Sequence, residues 1–277
     1  MKRDIPDTIK RELRQEAGFG CCICGNPVYE YHHIKPFSDE QSHDPAQMMI
    51  LCPNHHYAAT IGAITEAEQK HFKEKPANIN NGFVNGLLYI TDPAVAIRTG
   101  TNYLVGLGIK IVIDGKPMLT LEKDAEGRLL LSIDLYDRND SLILSIHRNE
   151  WIAADPIPWD IEFQYRTLKI RIGKGNTPLA IDARNTPILL SGELWWHQQC
   201  IALGRRGMLF NGVLQNAGIA NLGLVGNIVS VDTQKKGFTL IPDPRYVSAR
   251  IVSWPDPFGR LIRCFNALAE MEAEIKK

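Results

Sequence analysis

Two short motifs near the start of this 277-residue chain constrain its fold more than any other feature. Cys21 and Cys24 form a C-x-x-C knuckle, and Cys52 and His55 form a C-x-x-H knuckle. Two such knuckles brought together make a tetrahedral Cys3His site, which suits Zn²⁺ because thiolate and imidazole match a borderline-soft ion. We therefore predict a structural zinc bound by these four side chains, around which the surrounding segments must fold.

The other cysteines leave an alternative open. Cys22 lies inside the first knuckle and could replace Cys21 as a ligand, although the spacing of three favours Cys21. All of these residues could also be small buried thiols in a reduced core. Pairing with C-x-x-H favours metal, and Cys200 and Cys264 stand alone in the sequence.

The segment up to residue 80 contains alternating helix and strand signals. The expected elements are helices over 7–17, 55–62 and 65–73, strands over 28–34 and 48–51, and a loop over 37–47. Asp7 is placed to cap the first helix, and Thr65 with Glu68 has the spacing of a capping box. Residues 75–82, rich in Pro, Asn and Gly, are the natural domain boundary.

Beyond this boundary, short β runs separated by turn residues extend to about residue 246. Examples are 110–113, 129–133, 142–146, 167–172 and 188–195. The sequence around 130–133 returns at 143–146, as two coils of a solenoid or two strands of a meander would. We predict an α+β chain: a zinc-stapled domain over 1–80, then a mostly-β domain over 83–277, a sandwich, barrel or solenoid, ending in an amphipathic helix over 258–277.

Five of the eight histidines lie around the two knuckles, namely His32, His33, His43, His55 and His56. The run from Tyr31 to Pro36 (YHHIKP) and the run from Leu51 to His56 (LCPNHH) resemble the HNH endonuclease family with its ββα-metal fold. The lead-in through Ile5-Pro6 and residues 18–25 (GFGCCICG) resembles a bacterial subgroup of that family. The resemblance covers about residues 2–80.

This resemblance implies a role for each matching residue. His33 is the general base that deprotonates the attacking water, and His32, where the family often has Asp, is the first ligand of a catalytic divalent ion. His56 is the second ligand of that ion. Gln47 stands where the family has the Asn that braces the loop carrying the base. His43 has no ligand role and is a natural control.

The implied activity is metal-dependent hydrolysis of phosphodiester bonds, with DNA as the expected nucleic acid. Mg²⁺ or Mn²⁺ is the expected catalytic ion, and two imidazole ligands favour softer divalent ions such as Mn²⁺, Ni²⁺ or Zn²⁺. The β domain would then bind the target, a regulatory partner or a second copy of the chain. A role in antiphage defence follows by analogy with the family alone.

Charge and hydropathy limit these expectations. The formal net charge is zero, which is unusual for a nucleic-acid binder. The basic residues of the N-terminus (Lys2, Arg3, Lys10, Arg11 and Arg14) are interspersed with acidic ones. The first residues lack the apolar stretch of a signal peptide and no apolar run is long enough for a membrane span, so we expect a cytoplasmic protein without membrane contacts.

Two alternatives remain at this point. The N-terminal domain could be a zinc-stabilised nucleic-acid-binding module without cleavage activity, which His32 in place of Asp and Gln47 in place of Asn would favour. The β domain could instead be the main functional part, a ligand sensor or oligomerisation platform with the nuclease as its effector. Cleavage assays distinguish these readings.

Overall fold

The computed structural model describes residues 4–241, apart from 82–83, 86–87, 90–94, 107, 127, 154–157, 165, 212–216, 220–222, 226–227 and 233–236. This part of the chain is mixed α+β and mostly strand. The amphipathic helix expected over 258–277 lies outside the described residues. Within them, no helix has the length and apolar character needed to cross a membrane.

The N-terminal part consists of five helices, two strands and a 3₁₀ turn within the described residues. They are α1 Asp7–Glu16, β1 Glu30–His33, α2 Phe37–Glu40, the 3₁₀ turn Pro45–Gln47, β2 Met48–Leu51, α3 Pro53–Thr60, α4 Glu66–Glu74 and α5 Ala77–Asn81. The capping box of α4 is confirmed, with Thr65 and Glu68 bonded reciprocally. Asp7 does not cap α1: Pro6 precedes the helix, and Asp7 is its first residue, where its charge favours the helix dipole. The loop expected over 37–47 contains two short helical turns instead.

A small apolar core forms around the antiparallel β1–β2 hairpin. All four residues of β2 are buried, and Leu13 of α1 packs into the same cluster together with Cys21, Cys22 and Cys52. The second knuckle leads directly from β2 into α3, whose first residue, Pro53, has the backbone angle a helix start requires. Cys21, Cys22 and Cys52 are therefore part of this core.

The rest of the described chain is β structure. Its strands are β3 Val84–Asn85, β4 Leu88–Tyr89, β5 Val95–Thr99, β6 Asn102–Gly106, β7 Gly108–Ile113, β8 Lys116–Lys123, β9 Arg128–Tyr136, β10 Leu142–His147, β11 Glu150–Ala153, β12 Asp160–Gln164, β13 Thr167–Arg171, β14 Leu179–Asp182, β15 Ile188–Trp196, β16 Gln199–Gly204, β17 Gly207–Asn211, β18 Ala217–Ile219, β19 Gly223–Val225, β20 Ile228–Asp232 and β21 Gly237–Ile241. Every run named above as a strand in this region falls on one of them.

These strands form two sheets. One runs β21-β20-β7-β8-β9-β10-β11-β3, with β4 beside β9, and the other runs β12-β13-β14-β15-β16-β17-β18, with β5, β6 and β19 attached through β15. Neither sheet closes into a barrel in the described residues. The two similar segments at 130–133 and 143–146 lie in β9 and β10, which pair antiparallel, so they are strands of a meander and not solenoid coils.

Both sheets contribute to one apolar cluster. Buried side chains alternate with more exposed ones along β7 and β13, as expected for strands with one face against a core. Ile111 from the first sheet and Ile170 from the second belong to the same cluster, in the way that two packed layers share their interior. Phe19, from the segment before the first knuckle, joins it as well.

A buried ion pair connects the N-terminal part to the β-rich part. Arg14 of α1 donates two hydrogen bonds of 2.7 Å to the carboxylate of Asp160, the first residue of β12. Arg171 donates a third at 3.0 Å, and Arg14 also reaches the hydroxyl of Tyr31 on β1. Burial alone would lower the pKa of Arg14, but the hydrogen bond to Asp160 and the neighbouring tyrosines raise it overall, so the guanidinium stays charged.

We predict that Asp160→Ala destabilises the protein by about 3 kcal/mol, because it removes the carboxylate that accepts two hydrogen bonds from the buried Arg14 guanidinium and leaves Glu162, 3.4 Å away, as its counter-charge. The matched control is Asp7→Ala, which removes a fully exposed carboxylate 3.7 Å from Lys10. That change should alter the free energy of unfolding by less than about 0.5 kcal/mol. Urea denaturation measures both, and equal effects of the two substitutions would contradict the assignment of Arg14–Asp160 as the main polar contact between the two parts.

Candidate metal centre and histidine cluster

The first knuckle is a tight turn that only glycine permits at its end. The amide of Gly25 donates to the carbonyl of Cys21 at 2.8 Å, and Gly25 has a φ of 74°. A Cβ at this position would overlap the buried side chain of Asn78 on α5. The knuckle is therefore packed directly under α5, which orients Cys21 and Cys24 toward the second knuckle.

The four predicted zinc ligands converge. The Nδ1 atom of His55 lies 3.4 Å from the sulfur of Cys21 and 3.3 Å from that of Cys52, and the sulfurs of Cys24 and Cys52 are 3.8 Å apart. Tetrahedral zinc with its usual bond lengths separates two thiolates by about 3.8 Å and a thiolate from an imidazole nitrogen by about 3.5 Å. Cys21, Cys24, Cys52 and His55, hereafter the Cys3His cluster, lie close enough to hold a metal ion.

The chemistry of this donor set also fits a cation. Burial raises the pKa of the Cys21 thiol to about 12 and raises that of Cys24 as well, since a thiolate there would lack solvation. A bound divalent ion reverses that preference by coordinating the thiolates directly. In the described residues, this is the only group of three or more His, Cys, Asp or Glu side chains whose ligand atoms come within 4.8 Å of one another.

Cys22 is not part of the cluster. Its amide donates to the carbonyl of Ile50 on β2 and its side chain packs into the N-terminal apolar core. Burial raises the pKa of this thiol to about 11. The ambiguity that the sequence left between Cys21 and Cys22 is thus resolved by which side chain faces the second knuckle.

The β1–β2 hairpin carries His32 and His33 on opposite faces. His32 pairs with Met49 and His33 with Met48 across the hairpin. Because successive strand residues point to opposite sides, His32 faces the interior and is buried, whereas His33 is half-exposed. The predicted metal ligand and the predicted base therefore face different surroundings although they are neighbours in sequence.

His32 and His56, hereafter the histidine pair, lie side by side. Their rings are perpendicular, with centroids 5.0 Å apart. His56 belongs to the first turn of α3, and its Nδ1 lies 3.3 Å from a carboxylate oxygen of Glu30. Burial lowers the pKa of His32 to about 4, helped by the neighbouring His56, so His32 is neutral at neutral pH and can act as a ligand.

His33 lies against His43, the neighbouring imidazole that was expected to have no ligand role and to serve as a control. Nε2 of His33 lies 3.1 Å from Nδ1 of His43, and Phe37 stacks on the His43 ring with centroids 4.9 Å apart. Burial and the neighbouring His43 lower the pKa of His33. His43 therefore contacts the predicted base, and a control must be chosen elsewhere.

Gln47 occupies the position expected for the bracing residue, but it acts through its backbone. Its carbonyl accepts a 2.9 Å hydrogen bond from the amide of Ile34, directly after His33. Its side-chain Oε1 is buried and has no hydrogen-bond partner within the described residues.

Sequence reasoning missed three residues at this site: Glu30, His43 and Gln69. Glu30 precedes His32 by two positions on a strand, so the period of two could have placed it on the same face. Gln69 of α4 lies 3.0 Å from His32 and carries no local signal. A cleft of about 700 Å³ lies between α1, β1, β12 and β13 and includes Glu30 in its wall.

Comparisons of the sequence with protein-family models, with curated proteins and with solved structures found no match. The function must therefore be inferred from the geometry of the Cys3His cluster and of the neighbouring histidines.

We predict that the purified protein contains about one zinc per chain. Cys21→Ala should abolish zinc binding and unfold the N-terminal part, because a structural metal site contributes its binding energy to folding. Cys22→Ala is the matched control: it removes an adjacent buried thiol outside the cluster and should keep the zinc. Elemental analysis and thermal unfolding measure both. Loss of zinc from Cys22→Ala with retention in Cys21→Ala would show that the ligand assignment is wrong.

Proposed function

We propose that this protein is a metal-dependent endonuclease of the HNH type that hydrolyses phosphodiester bonds, with DNA as its substrate. The observation that carries the proposal is the contact between His32 on the β-hairpin and His56 on the helix that follows it, with His33 next to His32 on the same strand and the Cys3His cluster formed by the segments that flank the hairpin. The order of these residues along the chain is the one that the resemblance to the HNH family implies. The N-terminal part would accordingly be a zinc-stapled ββα-metal domain.

His33 is the general base in this proposal. Its lowered pKa keeps the imidazole neutral at neutral pH, so that it can accept a proton from the attacking water. Nε2 of His33 faces His43 at 3.1 Å, so the water must take the place of His43 at this nitrogen or approach between the two rings. Such contacts commonly rearrange when substrate binds.

The histidine pair would hold the catalytic divalent ion, with the Glu30 carboxylate beside it. In the described residues the ligand atoms of His32, His56 and Glu30 do not all lie within 4.8 Å of one another, so the two imidazoles are the ligands in this proposal. Two imidazoles suit Mn²⁺ or a softer ion better than Mg²⁺, which prefers oxygen ligands. When bound, the ion would stabilise negative charge on the phosphate and on the leaving oxygen. His32 and His56 would orient the ion, and His33, the last residue of β1, would deprotonate a water that reaches the same phosphate from the end of the strand.

Phosphate contacts would come from few residues. Of the basic side chains on α1, Arg14 is already neutralised by Asp160, and Lys10 lies near Asp7. Arg11 stacks over Trp159 with its guanidinium carbon 4.2 Å from the ring centroid. A small number of phosphate contacts predicts weak, salt-sensitive binding of nucleic acid.

A regulatory role for the β-rich part is supported by one specific contact. Arg14 joins Asp160 of β12 to Tyr31 of β1, the residue before His32. A ligand or a second copy that moves β12 would act on the strand carrying the histidines through this guanidinium. The sensor reading proposed from the sequence would use this connection, and defence against phage is one setting in which such control of a nuclease is useful.

We expect the purified protein to nick plasmid DNA with Mn²⁺, and EDTA to abolish the reaction. His33→Ala should reduce the cleavage rate by about 10²- to 10⁴-fold while zinc content and DNA binding stay unchanged, because only the proton acceptor is removed. His71→Ala, an exposed imidazole on α4, is the control and should cut at the wild-type rate.

Wild-type protein that binds DNA but cuts nothing with Mn²⁺, Mg²⁺, Ni²⁺ or Zn²⁺ would refute the nuclease and favour a binding module. Within the described residues, Oε1 of Gln47 is buried and has no hydrogen-bond partner. This observation favours the binding module, because Gln47 stands where the HNH family has its bracing Asn. Equal cleavage by wild type and His33→Ala would refute the assignment of the base.

A further inference from the structure

The buried contact between His32 and Gln69 determines which nitrogen of His32 is available to a metal. Nε2 of His32 lies 3.0 Å from Oε1 of Gln69. The two residues are 8% and 3% exposed, so water does not compete for this bond. Gln69 belongs to α4, outside the hairpin and α3 that carry the other site residues.

The orientation of the Gln69 amide follows from its second contact. The other end of the amide lies 2.9 Å from the backbone carbonyl of Ile64. A carbonyl oxygen only accepts hydrogen bonds, so the amide must present its NH₂ group there. Oε1 therefore faces His32.

The position of Gln69 is itself fixed by the start of α4. Thr65 and Glu68 form the capping box, and the backbone amide of Gln69 donates a hydrogen bond of 2.9 Å to the backbone carbonyl of Thr65. The first turn of α4 is thus held at its backbone, and the buried Gln69 side chain is directed toward His32. The capping box fixes the backbone at the start of α4, and the hydrogen bond to the carbonyl of Ile64 holds the side-chain amide of Gln69 in this orientation.

An acceptor at Nε2 requires that nitrogen to carry hydrogen. An imidazole that binds a metal is neutral and carries one hydrogen, so the lone pair of His32 must be on Nδ1. An acceptor that bonds to the ring nitrogen not bound to the metal orients a metal-binding histidine and raises its basicity, and removing such an acceptor typically weakens metal affinity by about 10- to 100-fold.

We propose that Gln69 is a positioning residue that holds His32 as the Nε2–H tautomer, with Nδ1 directed to bind the catalytic divalent ion. The inference rests on the proposed function for the assignment of an ion to the histidine pair. The tautomer and the acceptor role of Gln69 are properties of the folded chain and are measurable without any cleavage.

The first test uses the wild-type protein with its zinc bound. Nitrogen-15 NMR of the imidazoles distinguishes a protonated ring nitrogen from an unprotonated one, and His32 is identified by the spectrum of His32→Gln. We expect Nε2 to be protonated and Nδ1 to be unprotonated. A spectrum with hydrogen on Nδ1 would overturn the proposal whatever the protein cuts.

The second test compares two substitutions by Mn²⁺ binding, measured by calorimetry on zinc-loaded protein. Gln69→Met fills the same space without an acceptor and should weaken Mn²⁺ binding by about 10- to 100-fold. Gln69→Glu keeps the acceptor and should bind Mn²⁺ within a few-fold of wild type. Lys70→Met, on the exposed side of the same helix, is the control and should bind normally.

The thermal stability of the two variants should follow the opposite order to their Mn²⁺ affinity, and this difference separates a positioning role of Gln69 from a merely structural one. Gln69→Glu buries a carboxylate against the carbonyl of Ile64 and should unfold at lower temperature than Gln69→Met. If Mn²⁺ affinity falls in the same order as stability, with Glu worse than Met, the proposal is wrong. If the wild-type protein binds Mn²⁺ and this binding depends on Gln69, but the protein cuts no nucleic acid, the proposed nuclease activity is refuted and the role of Gln69 stands.

Discussion

The convergence of the Cys3His cluster is the constraint on which the rest of the N-terminal part depends. Its four ligands come from a knuckle after α1 and from the junction between β2 and α3, so one bound ion would tie both ends of the β1–β2 hairpin. Three cysteines, Cys21, Cys22 and Cys52, are also members of the small apolar core. A core of this size contributes little stability by itself, and a metal would supply the remainder.

The hairpin so held is what positions the histidines. The period of two along β1 directs His32 inward and leaves His33 half-exposed, and the first turn of α3 brings His56 against His32. Each imidazole then acquires a different partner: Gln69 for His32, His43 for His33 and Glu30 for His56. Similar side chains are thereby suited to different tasks, which is the arrangement that the proposed hydrolysis requires.

The buried Arg14–Asp160 pair gives the β-rich part a direct physical connection to this site. A paired guanidinium in a dry environment tolerates little displacement, because separating the charges there is costly. Arg14 also bonds to Tyr31, so motion at β12 would be transmitted to β1. The same pairing removes Arg14 from the surface, and for this reason the basic N-terminal cluster seen in the sequence overstates the charge offered to nucleic acid.

The sequence by itself determined the features that depend on near neighbours. The two knuckles, the capping box of Thr65 with Glu68, the strand β2 and the strands named in the β-rich part follow from spacings of a few residues, which local geometry converts directly into structure. The spacing also identified the four ligand positions, and it favoured Cys21 over Cys22 without deciding between them. Helix 258–277 stays a prediction from its apolar periodicity, since it lies outside the described residues.

Only the tertiary structure decided the contacts between side chains that are distant in sequence. Gln69 reaches His32 from another helix, and Asp160 reaches Arg14 from the β-rich part. Neither contact leaves a periodic or compositional signal, because a buried polar partner is selected by where the backbone places it in space. The contact of His43 with His33 was not predicted for the same reason: ten positions separate the two residues in sequence, and the fold of the segment between them, which includes α2, brings a nitrogen of each ring to 3.1 Å from the other.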